Sequence, residues 1–142
     1  MLGGQVIDVE NTGKGIELKT LQCIHRLKTS ALIETSMMIG AILAGASKDE
    51  VNLVSEIAVD IGLAFQIQDD ILDVVSTDDE LGKPVNSDEK NNKTTYVTLL
   101  GIDKAKEQVK EYTDRAINRL KEFDGENEFL FELIERLISR RK

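Results

Sequence analysis

Residues 65–73 read Phe-Gln-Ile-Gln-Asp-Asp-Ile-Leu-Asp and lie inside a helix that the hydrophobic pattern predicts over 48–75. On a wheel of about 100° per residue, the polar side chains of this stretch fall in one arc of about 100°. They are Gln66, Asp69, Asp70 and Asp73. An ordinary surface helix has a single apolar stripe, whereas this helix is apolar nearly all round with a narrow polar stripe. The pattern therefore predicts a buried helix whose polar stripe lines a cavity.

The three aspartates of this stripe, Asp69, Asp70 and Asp73, favour a bound cation. Two carboxylates about 6 Å apart repel by roughly 3 kcal/mol at an effective dielectric constant of 20. Hard oxygen ligands in an Asp-Asp-x-x-Asp spacing suit Mg²⁺, which retains several waters and is completed by substrate phosphate oxygens. Acidic clusters on helices are often solvated, but the apolar residues around this one favour a cavity. We therefore predict these aspartates as metal ligands and Mg²⁺ as the cofactor.

Three short segments contain lysines, two of them beside threonine hydroxyls: residues 25–29 (His-Arg-Leu-Lys-Thr), 82–84 (Gly-Lys-Pro) and 91–95 (Asn-Asn-Lys-Thr-Thr). Each lysine taken singly is typical of a solvated surface. A cation, a hydroxyl and a metal site that converge on one point would hold a diphosphate and neutralise the charge of a leaving group. The three segments together therefore predict a phosphorylated ligand.

Composition narrows the class of protein. The chain has 142 residues, a net charge of −8 and 41% apolar residues, so it fits one soluble, acidic domain with a core. The acidic balance argues against a nucleic-acid partner, which requires a basic face. Cys23 is the single cysteine, which excludes a disulfide framework within the chain and predicts a cytoplasmic setting. No run of about eighteen apolar residues predicts a membrane span.

Helix is favoured nearly throughout, because Pro84 is the only proline and Leu, Ile, Ala, Glu and Lys are common. The predicted helices cover 1–10, 17–46, 48–75, 94–100, 103–123 and 126–141, with polar breaks at 12–15 and 76–93. Ser47 and Glu50 form a capping box before the third helix. The helix over 103–123 is amphipathic through Ala105, Val109, Tyr112, Ala116 and Leu120. The expected fold class is all-α.

Four ordered motifs resemble those of the trans-isoprenyl diphosphate synthases, the farnesyl and geranylgeranyl diphosphate synthase family (polyprenyl synthetases). They are Gly3-Gly-Gln-Val-Ile-Asp8, Lys28-Thr29, the aspartate-rich segment 65–73, and the segment 82–96 with its Gly-Lys-Pro and Asn-Lys-Thr-Thr-Tyr strings. The resemblance extends to about residue 100. Ser30 stands where glycine or alanine is usual in the family, and Asn86 where glycine is usual.

The resemblance implies antiparallel helices of the isoprenoid synthase fold around a deep cavity. It implies ionisation of an allylic prenyl diphosphate, attack by isopentenyl diphosphate, and proton loss to the released diphosphate. Lys28, Lys83 and Lys93 would contact the diphosphate, while Thr29 and Gln66 would face the reacting carbons or the leaving oxygen. The implied catalytic residues are Lys28, Thr29, Gln66 and Lys83. The implied substrate-binding residues are Gln5, Asp8, Lys28, Thr29, Gln66, Lys83 and Lys93. Asp88 is a further candidate for an outer carboxylate.

The family's first aspartate-rich motif and its isopentenyl diphosphate site would precede Gly3. We therefore expect residues 1–142 to be the C-terminal portion of one polyprenyl synthase domain, truncated at its N-terminus. We expect the chain alone to make prenyl diphosphates at no useful rate. Apolar surface left uncovered would favour a homo-oligomer such as a dimer.

Three other interpretations remain open at this point. A head-to-head synthase or terpene cyclase uses similar magnesium–diphosphate chemistry, although the Gly-Lys-Pro and Lys-Thr segments favour the chain-elongating enzymes. A non-catalytic helical subunit or partner of a prenyl synthase would keep the motifs without turning over substrate. An acidic helical bundle without any site is the simplest alternative.

Overall fold

The aspartate-rich segment lies in α4 (Lys48–Val75), the longest helix and the centre of the structure. The computed structural model describes residues 1–75, 93–123 and 127–140, and these ranges contain helices but no strand. In chain order the other elements are α1 (Leu2–Asn11), α2 (Leu18–His25), a π-helical turn (Arg26–Ser30), α3 (Ala31–Leu43), α5 (Tyr96–Leu100), α6 (Ile102–Leu120) and α7 (Glu128–Ser139). The predicted all-α fold class is confirmed. No described helix has the length and uniform apolarity needed to cross a bilayer.

The start of α4 is fixed by the predicted capping box. The Glu50 amide donates to Ser47 Oγ at 3.3 Å, and the Ser47 amide donates to Glu50 Oε2 at 2.7 Å. These two bonds satisfy backbone donors that a helix N-terminus otherwise leaves unpaired. The register of α4, and with it the direction in which its aspartates point, is therefore set from its first turn.

The core forms where α6 packs along α4. All five residues predicted for the apolar stripe of α6 are buried: Ala105, Val109, Tyr112, Ala116 and Leu120. They meet α4 residues such as Ile57, Ile61 and Ile67, which are at most 3% exposed. Full burial of one such aliphatic side chain contributes about 1.5–3 kcal/mol. Hydrophobic contact with α6 thus holds one side of α4 and leaves its polar stripe on another.

A buried ion pair ties α4 to α6 beside this core. Asp60 is 3% exposed, and its carboxylate accepts hydrogen bonds from both Arg115 and Arg119 of α6. The Arg115 Nε–Asp60 Oδ2 distance is 2.8 Å. Arg119 also pairs with Glu56, one turn earlier on α4, at 3.1 Å. The carboxylate of Asp60 is therefore compensated by two guanidinium groups within the helix interface.

The polar stripe of α4 continues backward into its antiparallel contact with α3. Ser55 Oγ donates to Glu34 Oε1 at 2.5 Å, and Gly62 faces Ser30 at the end of the π-turn. A Cβ on Gly62 would lie 2.6 Å from Ser30 Cα, so the two backbones can approach this closely only because residue 62 is glycine. The small residues of the stripe thus bring α4 and the preceding helix into direct contact.

The single helix predicted over 17–46 is wrong in one respect, because a π-turn interrupts it at Arg26–Ser30. The Ala31 amide donates to the Arg26 carbonyl five residues back, which is the π-helical bond. This turn lies between Gly62 and Gly4, where a Cβ on Gly4 would sit 2.6 Å from the Lys28 backbone nitrogen. Sequence periodicity does not reveal one inserted residue, since the apolar spacing is nearly the same on both sides.

The last two helices are also shorter than predicted. The helix expected over 103–123 ends at Leu120, and the one expected over 126–141 spans Glu128–Ser139. The segment 94–100 becomes helical only at Tyr96, where the Thr95 side chain caps α5 by accepting from the Thr98 amide at 3.2 Å. Helix ends fray or tighten over one or two residues, which the apolar pattern does not resolve.

Candidate functional site

A polar cavity of about 290 Å³ lies between α1, the π-turn, α4 and the residues that precede α5. Its lining consists of Asp8, Leu21, Ile24, His25, Lys28, Thr29, Gln66, Asp69, Asp70, Lys93, Thr94 and Thr95. Four separate segments thus bring acidic, basic and amide side chains to one place. Such a concave, polar, convergent site is the best candidate for ligand binding in the described chain.

The π-turn carries Lys28 to this cavity. Its Nζ donates to Asp8 Oδ2 of α1 at 2.6 Å, and both side chains are partly exposed. The contact joins two residues of separate predicted motifs, and it holds the ammonium group at the cavity wall. A π-turn widens the helix locally and turns its side chains away from the regular register, which is common at functional sites.

The next residue of the π-turn, Thr29, is joined to α4. Thr29 Oγ1 donates to Gln66 Oε1 at 2.9 Å. The Gln66 carbonyl oxygen is the acceptor of this bond. Because the side-chain amide is planar, the bond also fixes the direction of the amide nitrogen. The two residues predicted to face the reacting part of a substrate are therefore adjacent.

The three aspartates of α4 do not occupy equivalent places. Asp69 and Asp70 line the cavity, whereas Asp73 is 2% exposed and lies outside the lining. Asp70 is 8% exposed, and its Oδ2 accepts from the Tyr96 amide at 2.9 Å. Of the three aspartates in the arc of the helical wheel, two therefore line the cavity and the third is buried outside its lining.

Asp69 makes contact with the C-terminal end of the described chain. Arg140 Nη2 donates to Asp69 Oδ1 at 3.2 Å, and the guanidinium carbon lies 3.8 Å above the centre of the Phe65 ring. No local motif in the sequence marks Arg140 as a site residue. Its position depends on how α7 returns to α4, which only the tertiary structure shows.

His25 lines the cavity, and its ring packs against the buried ring of Tyr96. Their rings stack with centroids 5.6 Å apart, and His25 is 7% exposed. Burial lowers the pKa of His25 from 6.5 to about 4, with the nearby Asp8 opposing and Lys28 reinforcing the shift. His25 is therefore neutral near pH 7. Its position three residues before Lys28, on one helix face, was a signal for its place in the wall.

The remaining predicted site residues are distributed unevenly. Lys93 lies in the cavity lining, and Gln5 is exposed on α1 outside it. Lys83 and Asp88, with the whole Gly82–Pro84 segment, lie outside the described residues. The structure thus brings Asp8, Lys28, Thr29, Gln66, Asp69, Asp70 and Lys93 together and does not bring Gln5 or Asp73 to the same surface.

The donor set of the cavity is compatible with Mg²⁺. Asp69 and Asp70 offer carboxylate oxygens side by side, and Mg²⁺ is commonly held by one or two carboxylates with waters and substrate phosphates. Within residues 1–75, 93–123 and 127–140, no group of three His, Cys, Asp or Glu side chains is arranged to enclose a metal ion. The residues present therefore fit an ion shared with a phosphate ligand rather than one enclosed by protein alone.

One protein-family model and two solved structures match this chain. The family model described as polyprenyl synthetase matches residues 1–134. The heptaprenyl diphosphate synthase of Staphylococcus aureus superposes with a TM-score of 0.95 at 26% identity, over 99% of this chain and 56% of that one. A Helicobacter pylori geranyltransferase, solved with magnesium and isoprenyl diphosphate, superposes with a TM-score of 0.80 at 28% identity, over 97% of this chain and 45% of that one.

A curated relative also matches this chain by amino-acid sequence. The farnesyl diphosphate synthase of Geobacillus stearothermophilus is 39% identical over 99% of this chain and 47% of its own length. The chain spans about half the length of the curated relatives it matches. The match of the family model over almost the whole chain, together with the shared helical fold, shows that the chain belongs to the polyprenyl synthetase family.

Proposed function

We propose that this chain forms one wall of the active site of a trans-prenyltransferase, which condenses an allylic prenyl diphosphate with isopentenyl diphosphate. The observation that carries the proposal is the cavity in which Lys28 and Lys93 share one lining with Asp69 and Asp70. Two lysines near the two carboxylates of α4 suit a diphosphate with a divalent cation, while the third carboxylate of the lining, Asp8, pairs with Lys28. The farnesyl and geranylgeranyl diphosphate synthases among the relatives support this class of reaction.

In this proposal, residues of the π-turn and residues of α4 bind opposite ends of the diphosphate. Lys28 and Lys93 hold diphosphate oxygens, with Lys83 as a further ligand, and their charge stabilises the diphosphate as it leaves. Asp69 and Asp70 would hold Mg²⁺, with Asp73 one turn further along α4 as a third carboxylate, and the ion would supply Lewis-acid neutralisation of the diphosphate. The magnesium and isoprenyl diphosphate of the H. pylori geranyltransferase support that assignment.

The other polar residues orient the substrate. The Thr29–Gln66 hydrogen bond of 2.9 Å presents a hydroxyl oxygen and an amide dipole to the carbon that loses its diphosphate. Asp8 holds Lys28 by the 2.6 Å ion pair, and Gln5 extends the same helix at its exposed side. Neutral His25 adds no second positive charge beside Lys28.

In this proposal the chain alone binds diphosphate but condenses prenyl diphosphates at no useful rate, because about half of the relatives' length is not matched. We also propose that the protein is cytoplasmic and forms a homo-oligomer. Exposed apolar side chains at Leu2, Val6 and Val9 follow one face of α1 and support self-association there.

Calorimetric titration with inorganic diphosphate, with and without Mg²⁺, tests the site. Binding is expected only with Mg²⁺, and K28A and D69N are each expected to weaken it by about ten-fold or more, as removal of a charge-assisted contact does. K106A and D103N on the exposed face of α6 serve as matched controls and leave the affinity unchanged. Mg²⁺-independent binding, or full affinity in K28A, would refute the site.

Labelled isopentenyl and geranyl diphosphates measure turnover, and rapid condensation by the purified chain would refute its inactivity.

A further inference from the structure

Tyr96, the first residue of α5, joins two residues of the candidate site without lining the cavity itself. Its backbone N–H donates to Asp70 Oδ2 at 2.9 Å, and its ring stacks on the ring of His25 with the centroids 5.6 Å apart. Asp70 and His25 both line the cavity. Tyr96 thus connects the polar stripe of α4 with the helix that leads into the π-turn.

The core fixes the position of the Tyr96 ring. Tyr96 is 0% exposed and belongs to the cluster of buried residues that includes Ile67 and Ile71 of α4 and Val109 of α6. An aromatic side chain buries about 150–250 Å² of its surface, and a close-packed interior does not readily fill the space that a displaced ring would leave. The backbone N–H of Tyr96 is therefore held where the core places it.

The first turn of α5 directs this N–H toward α4. The Thr95 amide donates to Thr98 Oγ1 at 2.8 Å, and the Thr98 amide donates to Thr95 Oγ1 at 3.2 Å. The N–H of Tyr96 is one of the first amides of the helix, which have no carbonyl acceptor within the helix. Asp70 is the acceptor instead, so the beginning of α5 is bonded directly to a proposed metal ligand.

Lys93 enters the cavity just before this fixed turn. Lys93, Thr94 and Thr95 all line the cavity, and Thr94 Oγ1 donates to the Lys14 carbonyl at 3.3 Å. Three residues of chain span at most about 10–11 Å, so the position of Lys93 depends closely on that of Tyr96. The structure thus links Lys93 to Asp70 through Tyr96.

We propose that Tyr96 is a positioning residue that sets the separation between Asp70 and Lys93. The inference rests on the proposed function, in which Asp70 holds Mg²⁺ and Lys93 holds an oxygen of the same diphosphate. Two groups that bind one ligand must keep a fixed separation, because a misplacement of about 1 Å removes much of the effect of a binding group. Tyr96 maintains this separation by bonding its N–H to Asp70 while its ring stays in the core.

A double-mutant cycle of Y96L and K93A tests the link, because a tyrosine that only stabilises the core would not couple to Lys93. Calorimetry measures the affinity of each variant for inorganic diphosphate in the presence of Mg²⁺, at a temperature where circular dichroism shows the variant to be folded. In the wild-type background K93A is expected to weaken binding about ten-fold, as loss of a charge-assisted contact does. In the Y96L background the further loss from K93A is expected to fall below about three-fold, because Lys93 is already displaced from the ligand.

Two further variants separate positioning from stability. Y96F keeps the ring and the backbone N–H, so it is expected to recover the wild-type affinity and the full effect of K93A. L120A truncates a residue that is 3% exposed in the other core cluster and lies outside the cavity lining. It is expected to destabilise the chain and to leave the affinity for diphosphate unchanged.

If Y96L does not fold, H25A removes the ring stacked on Tyr96 and takes the place of Y96L in the cycle, with H25F as the variant that keeps a ring. The same reduction of the K93A effect is expected in H25A. Additive losses in the cycle, or a Y96F chain that binds as weakly as Y96L, would overturn the positioning role and leave the proposed site intact. A wild-type chain that binds no diphosphate in the presence of Mg²⁺ would overturn the proposed function and this inference with it.

Discussion

Gly62 of α4 lies against Ser30 so closely that a Cβ at residue 62 would stand 2.6 Å from Ser30 Cα. The contact includes the backbone of Ser30 as well as its side chain, and backbone cannot rotate away as the end of a flexible side chain could. Ser30 closes the π-turn that holds Lys28 and Thr29. The separation of α4 from the π-turn, and so the width of the candidate site, depends on the absence of a side chain at position 62.

We therefore expect G62A to lower the free energy of unfolding by about 2 kcal/mol, the usual cost of forcing an extra methyl group into a packed interface. G40A is the matched control, since a Cβ on Gly40 meets nothing within 4 Å. It is expected to stabilise the chain by about 0.5–1 kcal/mol through helix propensity. Urea denaturation measures both, and equal stability of the two variants would contradict the close contact.

A second prediction concerns Asp60, whose carboxylate is shared by Arg115 and Arg119. D60N leaves Arg115 without its anion at the α4–α6 interface and leaves Arg119 with Glu56 alone. The cost is expected to be about 2 kcal/mol, below that of a fully buried pair because both arginines are partly exposed to water.

The control for D60N is E132Q, which breaks the exposed pair between Glu132 and Arg136 on α7. It is expected to change the unfolding free energy by less than about 0.5 kcal/mol. Diphosphate affinity should be unchanged in D60N at a temperature where both proteins are folded, because Asp60 lies outside the cavity lining. A D60N chain as stable as E132Q would show that the ion pair has no net structural role.

Local patterns predicted the parts of this structure that a single helix determines. The Ser47–Glu50 capping box and the buried stripe of α6 follow from residue type and spacing within one element. The polar stripe of α4 was recognisable for the same reason, since Gln66, Asp69 and Asp70 need only one helical register to share a face.

Features that depend on two elements were not predicted. The π-turn requires Gly4 and Gly62 to meet it from opposite sides, and neither glycine is near it in sequence. The contact between Arg140 and Asp69 depends on the path of α7. Periodicity describes a helix in isolation, so it has no means of identifying these long-range contacts.

A third prediction follows from the buried His25, whose pKa is lowered from 6.5 to about 4 by desolvation. Between these two values the unfolded chain binds a proton that the folded chain does not, so stability rises with pH in this window and is complete above pH 6.5. The full contribution corresponds to about 3 kcal/mol. As pH falls from 6.5 toward 4, this stability is lost.

Urea unfolding of the wild type and of H25N, measured from pH 7.5 down to pH 4.5, isolates this effect from the titration of carboxylates. The difference in unfolding free energy between the two proteins is expected to shrink toward low pH by up to about 1.4 kcal/mol per pH unit. Parallel pH profiles would show that His25 is not neutral and buried in the folded chain.

The last prediction concerns the competition between Arg140 and a divalent cation for Asp69. The guanidinium donates to Asp69 Oδ1 at 3.2 Å and lies over Phe65, so it partly neutralises a carboxylate that the proposed function assigns to Mg²⁺. Arg140 and Asp69 are 23% and 42% exposed, which limits their interaction to at most about 1 kcal/mol.

R140A is therefore expected to raise the affinity for Mn²⁺, used as a spectroscopic substitute for Mg²⁺, by about three- to five-fold. The free Mn²⁺ signal in electron paramagnetic resonance gives that affinity without any substrate. R136A, one turn before the C-terminal end of α7, is the control, because its partner Glu132 lies outside the cavity. Since Arg140 acts by occupying Asp69, the gain should disappear in the double variant R140A/D69N, and a gain that persists there would place the cation elsewhere.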